Sequence, residues 1–172
     1  NPAGQVFMKG RESTEWLKQN LRSTRNFIRK WGHMVQHDEY MKPIIPPKYD
    51  VGFKVYNTDA NLLKELEPWC SCIYLDYGSD YMTEYRKEEQ PDTDFDLGKR
   101  IKMYGTADIT EYHDVVVEFD AQKLTPQNFQ ILVNLSKMIQ DSGEIGVMEY
   151  EIFKLHIKSL DTYEKELIVC KS

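Results

Sequence analysis

Cysteine is scarce in this sequence: Cys70, Cys72 and Cys170 are the only three. An odd number without a repeating framework excludes a disulfide-stapled fold and points to reduced thiols in a cytoplasmic setting. Long apolar runs are missing too, so a membrane-spanning helix is not expected. Basic residues are outnumbered, 22 Lys and Arg against 28 Asp and Glu, for a net charge of −6. That balance argues against a general nucleic-acid binder, which needs a basic face to neutralise phosphates. Glycine-rich loops are absent where an α/β protein would use them. The loop after the first strand reads Asn57-Thr58-Asp59-Ala60-Asn61, with no Gly-x-Gly-x-x-Gly, and no phosphate-binding loop occurs elsewhere. Dinucleotide and S-adenosylmethionine binding are weakened by that lack.

The metal and nucleophile motifs are incomplete. Cys70-Ser71-Cys72 supplies two thiolates, and only Cys170 remains as a third. A nucleophilic cysteine needs an adjacent base, and no spacing places a histidine there. Buried small thiols beside Trp69 are the expectation. His33 and His37 stand four apart but lack a third ligand at defined spacing. Asp92, Asp94 and Asp96 lack the glycine and distal glutamate of a calcium loop, so they are read as turn and capping residues.

What is present is an ordinary globular composition, 41% hydrophobic and 29% charged over 172 residues. The chain is organised around residues 26–50, which close an amphipathic helix, cross a proline-stiffened connector and open an α/β unit. Three segments follow: a helix within 1–32, a linker over 33–50 and a small α/β domain over 51–172. Residues 1–10 read as the interior of a longer protein. Trp16, Leu17, Leu21, Phe27, Ile28 and Trp31 recur at helical spacing, Ser13 or Thr14 caps the start and Gly32 suits the end. The basic residues Arg22, Arg25, Arg29 and Lys30 on this helix are expected to form a solvated face. Pro43, Pro46 and Pro47 predict an extended, stiff connector.

From Val51 onward the pattern predicts strands at 51–56, 72–75, 114–119, 145–151 and 152–160, with helices between them. Val115, Val116 and Val117 suit a strand buried on both faces. Thr125 and Pro126 open the clearest helix, and Gly143 closes it. Residues 79–89 fit either period, 95–104 read as a helix, and 161–172 read as a short helix or edge strand. The alternation implies a Rossmann-like three-layer domain with a mostly parallel sheet and a C-terminal β-hairpin. Ligands of such sheets bind at the carboxyl ends of the strands, which makes Asn57, Asp59, Asp76 and Asp120 the candidate ligand-binding residues. No catalytic or metal-ligating set is assigned.

Asn20, Phe27 and the Lys30-Trp31-Gly32 ending resemble the segment that closes the catalytic domain of family-2, GT-A-type glycosyltransferases. The asparagine lies farther from Phe27 than that family's usual spacing, although Asn26 adjoins it. The resemblance covers roughly the first thirty residues. It implies a C-terminal accessory region, with the nucleotide sugar, the divalent metal and the catalytic motifs belonging to an upstream domain. The Trp16, Phe27 and Trp31 helix face would then meet that domain or another protein. Two further readings stand beside it: a non-catalytic binding or assembly domain, and a diverged Rossmann-like methyltransferase.

Overall fold

The computed structural model describes residues 14–76 and 80–163. The chain order is α1 (Thr14–Trp31), β1 (Val51–Tyr56), α2 (Ala60–Leu66), β2 (Cys72–Leu75), α3 (Asp80–Glu89), α4 (Leu97–Arg100), β3 (Ile101–Met103), β4 (Val115–Asp120), α5 (Pro126–Val133), α6 (Leu135–Ser142), β5 (Gly146–Tyr150) and β6 (Phe153–Ile157). One six-stranded sheet runs β3-β2-β1-β4-β6-β5. The first four strands are parallel, while β6 is antiparallel to β4 and forms a hairpin with β5. This is the α/β architecture the alternation predicts, with its C-terminal hairpin and N-terminal helix.

Strand alternation divides the side chains between two unlike faces. On one face Phe53, Val55, Ile73, Leu75, Val115, Val117, Phe119 and Leu155 form the main core with residues of α2, α3, α5 and α6. The other face carries Gly52, Lys54, Tyr56, Cys72, Tyr74, Lys102, Val116 and Glu118. Its cover is thin: the 104–114 connection lays a short turn, Ile109–Glu111, over Cys72, Tyr74 and Val116. Val116 is therefore buried although it points away from the main core, as the run of three valines predicts.

The local chemistry explains the element boundaries. Thr125 and Asn128 cap each other's backbone at the start of α5, with Pro126 at the first helical position. Gly143 closes α6. Gly32 ends α1 at φ +78°, the left-handed conformation that glycine takes without strain. The predicted cap Ser13 lies outside the described residues, as do Cys170 and most of the predicted tail.

Three expectations need correction. Residues 95–104 hold one short helical turn, α4, and then a sixth strand, β3, which pairs in register with β2. Asp96 caps that turn by accepting from the Gly98 N–H, and the chain then extends because Ile101 buries against the sheet. The connector also folds back rather than running straight. Asp38 Oδ1 accepts from the amides of Tyr40 (2.8 Å) and Lys42 (2.9 Å), and an antiparallel bridge joins His37 to Pro43.

The third correction concerns the basic helix face. Arg29 is 1% exposed and shares Glu67, itself fully buried, with Arg100. Arg25 forms a two-pronged pair with Glu89 at 2.9 and 2.7 Å, while Arg22, against Asp92, and Lys30, over the Trp31 ring, remain partly solvated. Burying guanidinium groups requires carboxylates that accept in fixed directions, and Glu67 and Glu89 supply them. α1 is thereby pinned at its C-terminal half to the α/β unit.

Candidate functional site

Of the four residues read from the sequence, two act as caps. Asp59 accepts from the Leu62 N–H at the start of α2, and Asp120 accepts from the Gln122 N–H after β4. Asn57 and Asp76 meet across the carboxyl ends of β1 and β2, where the Asn57 N–H donates to Asp76 Oδ2 at 3.1 Å. Asn57 takes φ +58°, so the loop reaches without glycine the conformation that glycine would favour. Asp76 Oδ1 is buried and has no hydrogen-bond partner among the described residues. Asp120 closes the neighbouring strand, so Asn57, Asp76 and Asp120 share one end of the sheet.

The opposite end carries a second constellation that the sequence does not announce. A cavity of about 160 Å³ opens beside β2 and β3, on the thinly covered face. Lys48, Ser71, Cys72, Tyr74, Lys99 and His113 are among its walls. His113 is its centre. Its ring lies against Gly52, where a Cβ would stand 2.6 Å from the imidazole, so only glycine leaves the ring room. Its Nδ1 meets Asp50 Oδ1 at 2.8 Å and its Nε2 meets the Tyr74 hydroxyl at 2.7 Å.

This environment sets the charge of the imidazole. Burial disfavours the protonated ring, but hydrogen bonds to Asp50 and Cys72 outweigh it and raise the His113 pKa to about 9. Both ring nitrogens then donate, to Asp50 and to Tyr74. The phenol of Tyr74 is pushed up by burial and by Cys72. Lys48 moves the other way, down to about 8, because it is buried and faces Arg100. Its ammonium donates to the carbonyls of Arg29 and Lys30, closing the C-terminal end of α1. The arrangement can hold negative charge at the cavity and relay a proton along Asp50, His113 and Tyr74.

The thiols are inert structural groups in one case and cavity-facing in the other. Cys70 is buried, its thiol pushed well up by burial. Cys72 lines the cavity and donates to the Lys99 carbonyl at 3.4 Å. Among the described residues no group of three or more metal-ligating side chains converges, and His33 and His37 do not form one. No helix among them is long and apolar enough to cross a membrane.

Compared with protein-family models, curated proteins and solved structures, the chain matches none. The functional reading therefore rests on the geometry and on the residues themselves.

Proposed function

We propose that this chain is the C-terminal accessory region of a nucleotide-sugar-dependent glycosyltransferase. In this reading it is a non-catalytic α/β domain held in a fixed attitude to a catalytic domain. The observation that supports it is the division of α1 into two halves. The C-terminal half carries the Lys30-Trp31-Gly32 ending and is anchored by buried Arg29. The N-terminal half leaves Leu17 and Leu21 about half exposed, at 49% and 55%. The 36–44 turn, fixed by Asp38, displays Tyr40 and Met41 at 76% and 75% exposure. Large apolar side chains on rigid elements suit a protein interface. The nucleotide sugar and divalent metal would belong to the catalytic domain.

The reading frame preceding the Asn1 codon tests this. A GT-A domain with an Asp-x-Asp after a strand is the expected result. Co-expressed with this chain, that domain should bind it, and Tyr40→Ser with Met41→Ser should weaken binding about tenfold or more without lowering thermal stability. A frame that opens at a start codon just before Asn1, or that encodes an unrelated domain, overturns the proposal.

A methyltransferase is the second reading, favoured by one observation. Asp76, directly after β2, keeps a buried oxygen with no hydrogen-bond partner among the described residues, at the place where an acid holds ribose hydroxyls in Rossmann-like folds. Titration with S-adenosylmethionine separates the two: the accessory-domain reading expects no binding.

A further inference from the structure

A thiol nucleophile needs a base or a cation beside the sulfur, and no residue next to Cys72 in the sequence supplies one. The fold does. Gly52 and Cys72 are register partners on β1 and β2 and lie on the thinly covered face of the sheet. The His113 imidazole fills the place that a side chain at Gly52 would take, so it stands one strand, about 5 Å, from the Cys72 position. Tyr74 follows two residues along β2 on the same face. Its hydroxyl and the imidazole both hydrogen-bond the Cys72 sulfur. Asp50 holds Nδ1 of the ring at 2.8 Å. Thiol, imidazole and orienting carboxylate thus come from β2, the 104–114 connection and the residue before β1.

We propose that Cys72 is a reactive thiol that small hydroperoxides oxidise, with His113 as the proton donor of the reaction and Asp50 as a positioning residue. Cys72 is buried but lines the cavity of about 160 Å³, so a molecule of a few atoms reaches the sulfur and a bulky oxidant does not. Hydrogen peroxide is of that size, is uncharged and pairs with hydroxyl groups, and Ser71, Tyr74 and Tyr163 put hydroxyl-bearing side chains on the walls. At rest the thiol donates to the Lys99 carbonyl at 3.4 Å. Once that proton is released to solvent, a thiolate stands beside the protonated imidazole, the surroundings in which cysteine is most nucleophilic. The thiolate attacks one oxygen of the hydroperoxide and the O–O bond breaks. The departing oxygen takes the imidazolium proton and leaves as water or an alcohol. Sulfur is oxidised to a sulfenic acid, the peroxide is reduced, and the neutral imidazole regains a proton from solvent. Cys70 is an internal control, because it is packed in the main core.

The test treats the full chain with hydrogen peroxide at neutral pH and traps sulfenic acid with dimedone. Tandem mass spectrometry assigns the label to Cys70, Cys72 or Cys170, and the rate is compared with that of a cysteine in a short unstructured peptide. Cys72 is expected to react about tenfold faster than the peptide, and Cys70 more slowly than the peptide. His113→Gln removes the imidazolium and is expected to slow the labelling of Cys72 about tenfold. Asp50→Asn, which leaves the ring without its carboxylate, should slow it less. In both variants the pH of half-maximal labelling rate should rise. Unfolding would expose the sulfur and speed the reaction, so a slower rate does not come from a damaged fold. Lys137→Gln, on the exposed surface of α6, should leave the rate unchanged. Labelling of Cys72 no faster than that of the peptide overturns the proposal, as does a rate that neither His113→Gln nor Asp50→Asn lowers. The proposal is independent of the glycosyltransferase reading, because the nature of any upstream domain leaves this reaction to the same residues.

Discussion

Glu67 holds two arginines from different parts of the chain. Its carboxylate accepts from Arg29 of α1 and Arg100 of α4, and the Tyr85 hydroxyl donates to it at 2.8 Å. Burial alone would raise its pKa, yet Arg100 and Arg29 bring it down to about 2. Such a cluster adds little net stability compared with an apolar replacement, but it is costly to break, because a lone partner stays charged and buried. Glu67→Gln is therefore expected to cost about 3–5 kcal/mol, read as a lowered urea midpoint at constant slope. Lys64→Gln, which removes an exposed pair at 3.9 Å, should cost less than about 0.5 kcal/mol. A small effect of Glu67→Gln would show that the arginines find other acceptors or water.

Among the elements, those defined by local chemistry were legible in the sequence. The Thr125-Pro126 start, the Gly143 stop and the alternation of Phe153, Leu155 and Ile157 each record a physical requirement within a few residues. β3 was hidden because three residues are too few to show a period, and its strand character comes from pairing with β2. The cavity was hidden for a related reason. Asp50 and His113 lie 63 residues apart, and Tyr74 and His113 lie 39 apart, so only the sheet brings them together. The carboxyl-end set was partly legible because parallel topology dictates where strands end, and Asn57 and Asp76 do meet there. The burial of the α1 arginines left no local mark, since their partners lie on α3 and the turn after α2. That dependence gives an element-scale prediction. Deleting residues 1–32 removes Arg25 and Arg29, leaving Glu89 without its arginines and Glu67 with Arg100 and the Tyr85 hydroxyl. The deletion should destabilise the domain, and Glu67→Gln should then cost less than it does in the full chain. A coupling of about 0.5–3 kcal/mol is expected from a double-mutant cycle. Strict additivity would mean that α1 contributes by apolar contact alone.

For the whole molecule, stability against pH is set by groups that titrate in opposite directions. The Glu67 carboxyl is depressed from 4.5 to about 2, so its contribution is present above 4.5 and is lost as the pH falls through 2. His113 is raised from 6.5 to about 9, so its contribution is complete below 6.5 and is lost as the pH rises through 9. Lys48 is lowered from 10.5 to about 8, so the folded state carries a penalty below 8 that disappears between 8 and 10.5. Stability should therefore hold between pH 4.5 and 6.5, fall between 6.5 and 8, level off between 8 and 9 where the two effects oppose each other, and recover in part between 9 and 10.5. The window from 6.5 to 8 isolates His113, because neither of the other two groups changes its charge there. Asp50 is 29% exposed, so solvent screens part of the pair, and the expected fall across that window is about 1 kcal/mol. Urea unfolding at pH 6 and pH 8 measures it directly. His113→Gln should be less stable than the parent chain at pH 6 and should show no such fall. A parent chain equally stable at both values would mean that His113 is neutral beside Asp50, and a slope that persists in His113→Gln would place the titrating group elsewhere.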